Sequence, residues 1–116
     1  MALADRHCVP CRGGTPPLTQ PEVEPLLGEL AEWRVEAGHL RREYRLKDFL
    51  AAVDFVNAIT PVAEAEGHHP DLHVTWGKVG VELWTHKIDG LTESDFVMAA
   101  KIDRVFAQRE AGAPVR

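Results

Sequence analysis

Between Leu72 and Leu83 apolar and polar residues alternate: Leu72, Val74 and Trp76 on the way in, Val79, Val81 and Leu83 on the way out, with Gly77-Lys78 between them. A period of two is the strand period, and glycine at the first of two central residues suits a type II′ hairpin turn. The register this predicts pairs Trp76 with Val79, Val74 with Val81 and Leu72 with Leu83, which collects the apolar side chains on one face. Two strands cannot bury such a face alone, so the rest of the chain must supply more sheet and a cover for it. The opposite face receives His73, Thr75, Gly80, Glu82 and Trp84, and continued alternation puts His86 on that side, open to a substrate.

The flanking sequence reads as those missing parts. Thr19 with Glu22 forms a capping box, and Val23, Leu26, Leu27 and Leu30 share a helical face, with Pro25 predicting an element that is either short or late in starting. Trp33 and Val35, a turn at Glu36-Ala37-Gly38-His39, and Leu40, Tyr44 and Leu46 predict a second hairpin. Asp48 caps a second helix whose buried stripe is predicted as Phe49, Ala52, Val53, Val56, Ile59 and Ala63, with a kink at Pro61. Gly67 is its C-terminal cap and Pro70 forbids continuation, so His68 and His69 stand where the chain leaves the helix. Thr92 and Asp95 open a last helix with Met98, Ala99, Ile102, Val105 and Phe106 as its stripe, fraying at Gly112 and Pro114. The order helix, hairpin, helix, hairpin, helix predicts an α+β fold, a four-stranded antiparallel sheet with the helices packed on one face.

A chain of 116 residues is one domain by size, here residues 18–116, preceded by an arm over residues 1–17. The arm has no period and holds both cysteines, in His7-Cys8-Val9-Pro10-Cys11. A C-x-x-C with an adjacent His supplies at most three of four zinc ligands, so we expect a flexible arm with reduced thiols, metal or disulfide chemistry being the alternatives. The net charge of -5, with Lys and Arg scattered apart from Arg41-Arg42-Glu43-Tyr44-Arg45, argues against a nucleic-acid partner. No apolar run approaches the roughly 20 residues of a membrane helix and no secretory leader is evident, so the expected location is the cytoplasm.

Four of the six histidines fall between Glu64 and Asp95, and three of them, His68, His69 and His86, stand outside the alternating hairpin. Imidazole exchanges protons near neutral pH, which suits general acid-base work. A zinc reading is weaker: the adjacent His68 and His69 diverge at a helix exit, an awkward start for one tetrahedral centre.

The spacing Glu64-x3-His68-His69-Pro70, then Val79, then Thr85-His86-x3-Gly90-Leu91-Thr92-x2-Asp95 resembles the signature of the pterin-4a-carbinolamine dehydratases, also called 4a-hydroxytetrahydrobiopterin dehydratases. The similarity covers roughly Leu26 to Phe106 and leaves the cysteine arm outside. It implies an α-β-β-α-β-β-α fold and a homodimer or homotetramer. The implied reaction is loss of water from a 4a-hydroxytetrahydropterin to give quinonoid dihydropterin, in recycling the tetrahydropterin of aromatic amino-acid hydroxylases, one of which would be the client. No metal or other cofactor is implied. By the same resemblance His68 and His86 are acids serving the two faces of the pterin ring, and His69 holds the substrate and accepts a proton. Glu64, Gly67, Trp84, Thr85, Lys87 and Asp95 are the expected substrate-binding positions, with Asp95 also a helix cap. Trp76 stands where the family commonly has Tyr, and Trp84 where a small residue is usual. Trp84 either stacks on the pterin, fills part of its pocket, or packs against a neighbouring subunit. Some members of this family serve as binding proteins, as dimerisation partners of transcription factors or as assembly factors. A catalytically weakened member should have lost a histidine, and this chain keeps all three.

Overall fold

In the computed structural model, which describes residues 2–9 and 13–112 and side chains as far as residue 109, each long helix starts at its cap. Helix α1, Gln20–Leu27, begins where the Thr19 N–H donates to Glu22 Oε1 at 2.9 Å, and with Pro25 inside it lasts only eight residues. Helix α2, Phe49–Glu66, is capped by Asp48, whose carboxylate accepts from the Ala51 N–H at 2.8 Å. It runs on through Pro61 and stops at Gly67, whose φ of +63° is the left-handed conformation that glycine adopts without strain. Helix α3, Glu93–Gly112, starts at Thr92, whose N–H donates to Asp95 Oδ2 at 2.9 Å.

The strands are β1 (Arg34–Glu36), β2 (His39–Arg45), β3 (Asp71–Thr75) and β4 (Lys78–Leu83). They form one antiparallel sheet in the order β1-β2-β4-β3, the α+β architecture predicted from the pattern. Ala37 and Gly38 both take positive φ, 52° and 77°, as a two-residue hairpin with the sheet's twist requires.

The second hairpin closes one residue earlier than predicted. Thr75 pairs with Lys78, Val74 with Val79 and Leu72 with Val81, so the turn is Trp76-Gly77 and the pairing is offset by two residues. Gly77 carries the positive φ, 72°, at the second central position, where a type II turn needs it. An offset of two leaves every strand residue on its expected face. Only Trp76 changes place, from the apolar face to the turn, where it is 71% exposed.

The covering stripe of α2 is rotated from the prediction. Ala52, Phe55, Ile59 and Ala63 are buried, and Phe49 is exposed. Phe55 meets Tyr44 of β2 edge-on, with ring centroids 4.8 Å apart, and spacings of three, four and four residues keep that face on the sheet. On α3 burial runs without a gap from Ser94 to Ala99 and resumes at Ile102. That run adds Phe96 and Val97 to the predicted stripe, because α3 is covered on more than one side. Pro114 and Cys11 lie outside the described residues.

One of the covers is the N-terminal segment. Residues 3–5 form a single 3₁₀ turn against α3, and Leu3 is part of the core. Arg104 pairs with Asp5 at 2.9 Å, and Lys101 Nζ donates to the Ala4 carbonyl at 3.0 Å. The Cys8 N–H donates to Glu66 Oε1 at 2.7 Å, and the thiol donates to the Ser94 carbonyl at 3.4 Å. Burial, then the neighbouring Glu66, pushes the Cys8 thiol up to about 12, so at neutral pH it is a donor and not a thiolate.

This docking has an expected pH dependence. Burial opposes ionisation of Glu66, but the Cys8 N–H, His7 and Lys101 outweigh it and hold the carboxyl below the usual carboxylate range. A value lowered by folding contributes stability above the unfolded value and loses it as pH falls through the folded one. Hydrogen-exchange protection of the Cys8 and Val9 amides is therefore expected to be full at neutral pH and to fall in acid before that of the sheet. Arm and sheet losing protection together would show that Glu66 does not hold the segment.

Candidate active site

Two exits from regular structure meet beside the sheet. At one, Gly67 ends α2 and the chain carries His68 and His69 toward β3. At the other, β4 stops at Leu83 and the chain is caught again two residues later, where the Thr85 N–H donates to the Gly90 carbonyl at 2.8 Å. Inside that tie, residues 86–88 make one 3₁₀ turn, closed by Asp89 at φ 48°. His86 thus sits on a tethered turn and not on a prolonged strand.

A cleft of about 370 Å³ lies between the exits, lined by Gly67, His68 and His69 on one side and Trp84, Thr85, His86 and Lys87 on the other. Two of the predicted site residues, Glu64 and Asp95, are absent from the lining, and each instead contacts a histidine that lines it. Glu64 Oε2 lies 2.5 Å from His69 Nε2, and both side chains are exposed.

Asp95 is fully buried, and its two oxygens gather groups from three segments. Oδ1 accepts from His68 Nε2 at 2.6 Å, and Oδ2 accepts from the Thr85 hydroxyl and the Thr92 N–H, each at 2.9 Å. Thr92 also bonds Thr85, hydroxyl to hydroxyl at 2.9 Å. One carboxylate therefore caps α3, ties down the β4 exit and orients His68. With Nε2–H committed to Asp95, the proton that His68 can exchange is the one on Nδ1.

Trp84 is stacked by two imidazoles. His39 of β2 lies parallel to it, centroids 4.1 Å apart and planes at 4°, and His86 lies 4.3 Å away at 28°. The indole is thus built into the wall that supports His86. His39 is held in turn by Glu82, which also takes Arg41 Nη2 at 2.9 Å.

Against known proteins, the family model described as pterin 4 alpha carbinolamine dehydratase matches residues 16–105. The chain belongs to that family. A Rickettsia bellii (strain OSU 85-389) protein, provisionally named a pterin-4-alpha-carbinolamine dehydratase, is 56% identical over 104 residues, covering 88% of this chain and 92% of the relative. A Rubrobacter xylanophilus protein with the same provisional name is 52% identical over 104 residues, covering 89% and 97%. Among solved structures, a transcriptional coactivator/pterin dehydratase from Brucella melitensis superposes with a TM-score of 0.73 at 32% identity, over 77% of this chain and 97% of that one.

The family's sheet-and-helix arrangement explains which site residues the sequence hid. His39 reaches Trp84 only because β2 pairs with β4, Leu40 standing opposite Leu83, and no local pattern announces a pairing over more than forty residues. Thr92 was legible as a cap, but its hydroxyl contact with Thr85 also needs the folded chain. Among the described residues, no group of three or more His, Cys, Asp or Glu side chains is placed to hold a metal ion, and no helix is long and apolar enough to cross a membrane.

Proposed function

We propose that this chain is a 4a-hydroxytetrahydropterin dehydratase working by histidine acid-base catalysis. The observation that carries the reading is the convergence of His68, His69 and His86, from two separate segments, on one cleft with an aromatic wall. Its volume of about 370 Å³ lies within the range of roughly 300–1,000 Å³ usual for small-molecule sites. In the reaction the C4a–O bond breaks, the leaving oxygen takes a proton and departs as water, the N5 proton is lost, and the N5 lone pair forms the C4a=N5 bond. His68, through Nδ1, and His86 supply the proton to oxygen from the two ring faces. His69, steadied by Glu64, holds the pterin and accepts the N5 proton. Each such transfer accelerates a reaction by roughly 10²–10⁴-fold. Gly67, Thr85 and Lys87 shape the walls, and Trp84 acts as a packed support for His86.

Titration with an oxidised, unreactive pterin tests the site. The ring resonances of His68, His69 and His86 should shift together, while those of His73 on the outer sheet face should not. Shifts centred on His73 would move the site elsewhere. Because the reading uses proton transfer alone, turnover should survive exhaustive chelation; activity lost on chelation and restored by metal would overturn the acid-base assignment.

The substrate would come from an aromatic amino-acid hydroxylase in the cytoplasm. A homodimer or homotetramer fits the open sheet edges β1 and β3 and the exposed Phe49, Leu50 and Trp76. Light scattering should give at least twice the 12.9 kDa chain mass, and a monomer at micromolar concentration would contradict this. The Brucella melitensis neighbour, described as a coactivator as well as a dehydratase, favours a protein-binding role as the second reading, to be preferred if the folded protein shows no turnover.

A further inference from the structure

The family match begins at residue 16, yet residues ahead of it reach the two chain segments that carry His68 and Asp95. Consecutive residues divide the work. The Cys8 N–H donates to Glu66 Oε1 at 2.7 Å, and Glu66 is the last residue of α2, two before His68. The Val9 N–H donates to Ser94 Oγ at 2.8 Å, and that hydroxyl returns a bond to the Val9 carbonyl at 3.3 Å. Ser94 is buried and immediately precedes Asp95. His7 Nδ1 adds a second contact to Glu66 at 3.0 Å. Leu3, 2% exposed, anchors the segment in the core.

We propose that this N-terminal segment is a clamp on the His68–Asp95 pair, with Glu66 and Ser94 as positioning residues for the dehydration; the catalytic part rests on the dehydratase reading above. The pair's 2.6 Å bond depends on how closely the end of α2 approaches the start of α3. Two adjacent residues of one segment hold both ends, so the gap cannot open without breaking a bond to Glu66 or to Ser94. Lys101 of α3 reinforces the span, bonded to the Ala4 carbonyl at 3.0 Å and lying 3.7 Å from Glu66. A shift of about 1 Å at a catalytic group can cost up to about 100-fold in rate, which gives a distant clamp leverage on turnover.

The test uses the full-length chain with Ser94→Ala, Glu66→Ala and their combination, plus deletion of residues 2–9. Kinetics are read below each variant's melting temperature. The His68 Nε2 proton, assigned by its loss in His68→Gln, is followed by NMR. The combined variant should lose about tenfold in kcat with KM within about twofold, and its His68 ring proton should exchange with water faster. Glu66→Gln, which keeps an oxygen for the Cys8 N–H, should recover most of the loss. Folded variants with wild-type kcat and an unchanged His68 proton would overturn the clamp, as would a loss that tracks melting temperature alone. Should the deletion fail to fold, the point variants decide. An inactive wild type would sink the dehydratase reading, and the exchange of the His68 proton would then decide the clamp by itself.

Discussion

Replacing His68 and His86 together by alanine is expected to lower the dehydration rate by about 10³–10⁴-fold, whereas either change alone lowers it by about 10- to 100-fold. The asymmetry follows from their placement. They come from different exits, line one cleft, and share no hydrogen bond in the structure. Each can serve its own face of the pterin, so either retained imidazole still protonates a leaving oxygen. His69→Ala should act as a single change of the larger size, since no neighbour duplicates it. Single-turnover rates, with circular dichroism to confirm folding, measure all of these. Equal losses in the two single variants and the double one would mean that His68 and His86 pass the same proton in series.

Asp95→Ala is expected to destabilise the chain by about 2–4 kcal/mol, the sum of a lost helix cap and buried donors left without an acceptor. Thr85, Thr92 and His68 all lose their partner at once. Asp95→Asn separates stability from activity. Its side-chain oxygen can still cap α3, but its amide must point N–H at His68 Nε2, which forces the opposite ring tautomer. Most of the stability should remain, while the His68-dependent part of the rate falls by about 10- to 100-fold, as it does when His68 itself is removed. Chemical denaturation and turnover on the same samples check both. An Asn variant as active as wild type would show that the carboxylate does not set the working tautomer.

What the sequence disclosed and what it withheld divide along chain distance. Thr19 with Glu22, Asp48, Gly67 and Thr92 with Asp95 are local signals, and each helix boundary they predict is where the structure has it. The hairpin of β3 and β4 was also local, but two turns compatible with Gly77 differ by a two-residue offset that leaves both faces intact, so alternation could not choose between them. Phe55, Phe96 and Val97 escaped the stripes because burial on α2 and α3 depends on what packs around the whole helix. The stack of His39 on Trp84 and the docking of Cys8 and Val9 join residues more than forty positions apart, and nothing in a short window reports them. The histidines were legible through their joint spacing, whereas the distances between them and their carboxylates were not.

The most direct measurement is turnover itself. A 4a-hydroxytetrahydropterin generated in situ and followed optically should lose water much faster in the presence of the purified chain, in proportion to its concentration and in chelator, and His68→Ala/His86→Ala should abolish nearly all of that acceleration. A well-folded wild type that leaves the spontaneous dehydration rate unchanged, or a double variant as fast as wild type, would contradict the assignment of dehydration to this cleft.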